Sequence, residues 1–152
     1  MFPWRHSALA VVAILATFSG LQAQTLTVSE QEAKLPPLVL RGVMGSPVRG
    51  PRIEVVRPES RTALYPPNSR IPLDVKFISR LGYPISEKDV RVVYLRGEGI
   101  DKTVQFQLNS DGVTLVQLRG EMMLPAGDHE FLIEVKDVEG RPGGTILKIS
   151  VR

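Results

Sequence analysis

The chain reads as an all-β protein, an antiparallel sandwich of two sheets with about seven strands. Three observations carry that reading. The last third runs from a Pro/Gly corner, Leu124-Pro-Ala-Gly-Asp-His129, into alternating Phe131, Ile133 and Val135. A turn at Asp137, Glu139 and Gly140 follows, and then Thr145, Leu147, Ile149 and Val151 alternate again. Alternation at period two hides one face of a strand and wets the other, and two such runs around a turn make a hairpin. Five more runs of strand-forming residues precede it, spaced roughly every 8–15 residues. No stretch sustains the period of a helix.

Taken in order, the elements begin with an export signal. Arg5 precedes an apolar run from Ala8 to Phe18, and Ser19-Gly-Leu-Gln-Ala23 offers a small-residue exit. Residues 1–23 are expected to be a cleaved signal peptide, with the cut after Ala23, because the run is far short of the ~20 residues that span a bilayer. Residues 24–51 hold Pro36-Pro37, Gly42, Gly45, Pro47, Gly50 and Pro51, and read as an extended linker with room for one short strand at Leu38-Val-Leu40. The domain is expected over 52–152. Ile53, Val55 and Val56 open it. Arg57 to Pro67 is a loop. Ile71, Leu73, Val75 and Phe77 alternate with Arg70, Pro72, Asp74 and Lys76 in the clearest strand of the chain. After the Gly82-Tyr-Pro84 turn, Ser86 to Asp89 has the Ser cap of a single helical turn. Val90 to Leu95 is apolar on both faces, as a central strand would be. Val104, Phe106 and Leu108 form the next strand, Asn109-Ser-Asp-Gly112 a tight turn, and Val113 to Leu118 the strand before the closing hairpin.

Composition narrows the function. The 152 residues include no Cys, so the core carries the fold without disulfides and no thiol is present for lipid attachment. About 130 residues remain after cleavage, enough for one domain. A net charge of +3 is too small for a dedicated nucleic-acid binder. The charges are unevenly placed. Arg41 to Arg80 is rich in base, Asp101 to Glu139 rich in acid, and the two regions are expected to face each other across the fold.

The frame Pro51-Arg-Ile-Glu-Val-Val-Arg-Pro58, then Ile71-Pro-Leu-Asp-Val-Lys-Phe77, then Leu124 to His129 and Asp137-Val-Glu-Gly-Arg141, resembles bacterial Ig-like domains. These share a sandwich with fibronectin type III and cadherin modules. The resemblance covers residues 51 to 152 and implies the fold; sandwiches of this kind serve many functions. Many such domains place a Tyr after the Pro-x-Gly corner. His129 stands there, and is expected to hydrogen-bond a nearby carbonyl. Without a Cys pair the domain is not of the antibody type.

Catalytic chemistry finds little to work with. His129 is the one histidine beyond the signal, and its neighbours Asp128 and Glu130 point away from it on a strand, so a nucleophile–His–carboxylate array is not expected. No zinc cluster is spaced along the chain. Copper(I) accepts soft sulfur and imidazole, which makes Met122, Met123 and His129, with Met44, the alternative metal set. Asp137, Glu139, Asp101 and Asp111 supply turn carboxylates but no calcium motif. A carbohydrate site would want an aromatic platform, and the one Trp, Trp4, lies in the signal.

The expectation is therefore an exported, periplasmic or secreted, non-catalytic binding module without a cofactor. Its partner is another envelope protein, met through a sheet edge or through loops. Tyr65 and Tyr83, with Pro66, Pro67 and the arginines Arg57, Arg61 and Arg80, are the expected contact residues, because Tyr and Arg dominate binding hot spots. The alternatives are a small copper carrier or a glycan or cell-wall binding module.

Overall fold

The computed structural model describes residues 24–41, 49–59 and 63–152. The expected signal segment, Met44 and Arg61 lie outside them. In chain order the elements are β1 (Thr25–Thr27), α1 (Glu30–Ala33), β2 (Arg52–Arg57), β3 (Leu64–Tyr65), β4 (Arg70–Ile78), β5 (Ile85–Tyr94), β6 (Ile100–Asp101), a 3-10 turn (Thr103–Gln105), β7 (Gln107–Ser110), β8 (Leu115–Met123), β9 (Gly127–Asp137) and β10 (Pro142–Val151). They form the expected all-β sandwich. One sheet runs β1-β8-β4-β2, with β7 also on β8; the other runs β3-β10-β9-β5-β6.

The long strands are those whose residues alternate. In β4, Ile71, Leu73, Val75 and Phe77 are all buried, while Arg70 and Pro72 lie outside. Val116, Leu118 and Met122 of β8 continue that inner face. Opposite them stand Val90, Val92 and Tyr94 of β5, Phe131, Ile133 and Val135 of β9, and Leu147, Ile149 and Val151 of β10. Each such side chain contributes about 1.5–3 kcal/mol when fully buried. The closing hairpin pairs in unbroken register from Pro142 opposite Lys136 to Val151 opposite Gly127. Its turn is built by Asp137, whose Oδ1 accepts from the amides of Glu139 (2.9 Å) and Arg141 (3.0 Å).

Several features depart from the sequence reading. Ten strands stand among the described residues instead of about seven, the excess being short edge pieces. Two pairings are parallel, β1 with β8 and β3 with β10. The second belongs to the crossing between sheets: β2 lies in one sheet and β3 in the other, where it pairs with the end of β10. Ser86 to Asp89 form no helical turn. They loop out of β5 between Ile85 and Val90, which pair with Asp137 and Val135, so both apolar residues reach the core. The strand expected over 104–108 is a 3-10 turn followed by β7. Asp101 Oδ1 draws the Thr103 amide (2.9 Å) and hydroxyl (2.6 Å) into that turn, burying Phe106 and leaving Val104 in solvent.

Residues 24–41, expected as extended linker, are built into the domain. Leu26 and Val28 are buried, and β1 lies beside β8 at Glu121 to Met123. Ser29 caps α1 in a reciprocal box with Glu32. Pro37 then bridges Arg96, and the Leu38 amide donates to the Leu95 carbonyl.

Candidate functional site

The expected contact residues fall into two groups at opposite ends of the sandwich. Tyr65 sits opposite Val151, the last residue of β10. Tyr83 lies under the guanidinium of Arg141, 3.7 Å from its ring centroid, just before β10 begins. A ten-residue strand separates them, about 30 Å. They form no single patch.

At the Tyr65 end, Arg57, Pro58, Glu59, Tyr65 and Pro72 line an open pocket of about 370 Å³. The strand-to-strand crossing described above puts it there: β2 ends at Arg57 and β3 brings Tyr65 back against the same edge. Arg57 and Pro72 are exposed, Tyr65 is half-buried and Pro58 is buried, so the pocket offers a cation, part of a ring and one proline to solvent. At the Tyr83 end, Arg80 lines a smaller pocket of about 170 Å³ with Arg52, Ile53 and Gly143 among others.

Met122, Met123 and His129 do not converge. Met122 is buried on the inner face of β8, and Met123, the next residue, turns the other way. His129 is buried and both its ring nitrogens are used. Nε2 lies 2.8 Å from the Pro125 carbonyl oxygen, an acceptor, so Nε2 carries the proton; Nδ1 then accepts from the Tyr94 hydroxyl at 2.9 Å. This is the corner hydrogen bond expected of His129, with a tyrosine added. It leaves no ring lone pair for a metal. No cluster of three or more His, Asp or Glu suited to a metal occurs among the described residues.

Burial holds the His129 pKa below its usual 6.5, the Pro125 hydrogen bond opposing, Arg96 adding to the depression and Asp128 resisting it. The unfolded chain therefore takes up a proton below pH 6.5 that the folded chain refuses, and stability falls as pH drops from 6.5 toward the folded value. Denaturant midpoints at pH 7 and pH 5 are expected to show that loss, and His129→Leu to remove its part of it. Tyr94→Phe, which strands Nδ1 in the core, is expected to cost about 1–3 kcal/mol at pH 7.

Of the expected facing of basic and acidic regions, the outer face of the first sheet carries one pair in the expected sense and one in the opposite sense. There Arg70 pairs with Glu121 (2.9 Å). Asp74 takes Arg119 at 3.5 Å, the reverse polarity. These exposed pairs contribute little to stability.

The close approach of Pro51 to Gly143, where β2 meets β10, was missed by the sequence reading. The signal was present in Pro142-Gly-Gly144, residues that let another backbone approach a strand. No helix among the described residues is long and apolar enough to cross a membrane. The chain matches no protein-family model and no curated protein sequence.

Proposed function

We propose that the chain is an exported, non-catalytic binding module with an Ig-like sandwich, and that it engages another protein of the cell envelope. The strand order supports the Ig-like reading: β2-β4-β8-β7 in one sheet and β10-β9-β5 in the other follow the ABED and CFG pattern of that fold. The observation that carries the binding reading is the Tyr65 pocket. An exposed Arg57 beside a half-buried Tyr65 and two prolines combines the side chains that most often anchor a protein interface. The sequence favours export, and His129 spends its two ring nitrogens on the Pro125 carbonyl and the Tyr94 hydroxyl.

Affinity capture from crosslinked envelope extract tests the reading. Tyr65→Ala and Arg57→Ala are expected to reduce partner recovery at least ~10-fold, the loss of one hot-spot residue. Tyr83→Ala, at the far end, is expected to leave recovery unchanged. Equal recovery with wild type and Tyr65→Ala would sink the pocket as the contact.

A further inference from the structure

β9 borders β10 along its whole length, but β3 borders it only at Ser150 and Val151. The Arg152 amide donates to the Tyr65 carbonyl at 2.9 Å. Backbone groups alternate sides along a strand, so the even-numbered residues of β10 turn amide and carbonyl toward the β3 side. The Leu95 amide, which donates to the Glu130 carbonyl, fixes the matching parity on β9: its even residues face β5 and its odd ones face β10. Gly144, Ile146 and Lys148 therefore present their backbone to a side where no strand stands among the described residues. The window is closed at one end by Gly50 and Pro51 against Pro142 and Gly143, and at the other by β3. Between Gly143 and Ser150 it is six residues long, about 20 Å. Alongside runs β2, with Ile53 and Val55 half-buried against the core.

We propose that this edge accepts an extended segment of the partner as an added strand, antiparallel to β10, with a carboxylate at its leading end held by Arg52 and Arg80. The proposal deepens the binding reading above and rests on it. An extended chain is the occupant that satisfies a row of alternating donors and acceptors. Apolar residues at every second position would cover Ile53 and Val55. An antiparallel strand makes the stronger ladder and brings its C-terminal end to the Gly143 end of the window. There Arg52 and Arg80 line the 170 Å³ pocket. Arg52 now pairs with Glu54 at 3.2 Å, both side chains well exposed, and such a pair yields readily to an incoming carboxylate. Lys148, exposed toward the β3 end of the window and paired with Glu130 at 2.7 Å, is the charge that keeps a short open edge from indiscriminate pairing.

The test follows backbone amide shifts of the full exported chain. The probes are acetyl-Thr-Val-Thr-Val with four endings: Glu as free acid, Glu as amide, Ala as free acid and Lys as amide. Shifts at Gly144, Ile146 and Lys148, with the carboxylate-bearing probes binding at least ~10-fold tighter than the Lys amide, are expected. The Glu amide against the Ala acid tells an acidic side chain from a chain terminus. Arg52→Ala and Arg80→Ala are expected to bring all probes to the level of the Lys amide. Ile146→Pro removes an amide that serves no ladder, so it is expected to keep the thermal midpoint and lose the shifts. No shift along the edge, or equal binding of the Lys-ended probe, overturns the proposal. An envelope partner captured equally by wild type and Ile146→Pro also overturns it, while leaving the binding module standing; capture of no partner by either fails the broader reading itself.

Discussion

Gly143→Ala is expected to destabilise the protein by about 3 kcal/mol, the upper part of the range for overpacking, and Gly50→Ala by a similar amount. A Cβ on Gly143 would overlap the Pro51 carbonyl oxygen, and one on Gly50 would overlap the Pro142 carbonyl oxygen. Neither glycine has a positive φ, so alanine is conformationally acceptable and the whole cost is steric. The obstructing atoms are backbone, with no rotamer to yield. Pro51 leads directly into β2, which β4 holds in register from Arg52 opposite Ile78, while β10 is held by β9 along its full length. Relief would require one sheet to slide on the other. Urea midpoints of the two variants against Lys148→Ala, an exposed control within about 0.5 kcal/mol of wild type, check the expectation. Variants as stable as the control would show that the two sheets are not fixed at this crossing.

What the sequence made legible follows the same physics. β4 and the β9–β10 hairpin are long, amphipathic at period two and bounded by Pro and Gly, so residues alone located them. β1 left no such trace. It is three residues long, its burial is carried by Leu26, and a four-residue helix is too short to show a period. The Ser29-x-x-Glu32 capping box was readable, but it followed no apolar run that would mark a helix. Ser86 and Asp89 mimic a cap because short polar residues satisfy nearby amides in loops as well as at helix ends; Ser86 Oγ accepts from the Lys88 amide at 3.3 Å. Tyr65 and Tyr83 are near in sequence, yet β4 lies between them. Nine residues of extended chain carry the two tyrosines to opposite ends of the molecule. Residue types picked out the candidate contacts, of which Arg57 is exposed and Tyr65, Tyr83 and Arg80 are half-buried, while their grouping depended on strand direction, which pairing decides and composition does not.

The N-terminal segment is also where a single side chain has an outsized effect. Lys102 is buried, and its Nζ donates to the Thr27 carbonyl (3.1 Å) and to Glu32 Oε1 (2.8 Å). The second oxygen of Glu32 accepts from the Ser29 amide at 2.8 Å, so one carboxylate both closes the α1 cap and receives the lysine. Lys102→Met is expected to cost about 2 kcal/mol, below the 3–5 kcal/mol of a fully buried broken pair because Glu32 still reaches water. The loss should be local. The Val28 amide, which donates to the Met123 carbonyl, is expected to lose roughly 30-fold of its hydrogen-exchange protection while Val75 and Ile133 change little. Burial raises the Glu32 pKa, but hydrogen bonds from Lys102 and Ser29 outweigh it and hold the carboxyl below 4.5. The clip is thus complete above pH 4.5 and is lost as pH falls through the folded value, and Glu32→Gln is expected to remove that dependence at Val28. Equal loss of protection at Val28, Val75 and Ile133 would mean that residues 24–41 open only with the whole domain. Selective loss at Val28 would make them a separately releasable segment whose hold on the sandwich depends on Lys102.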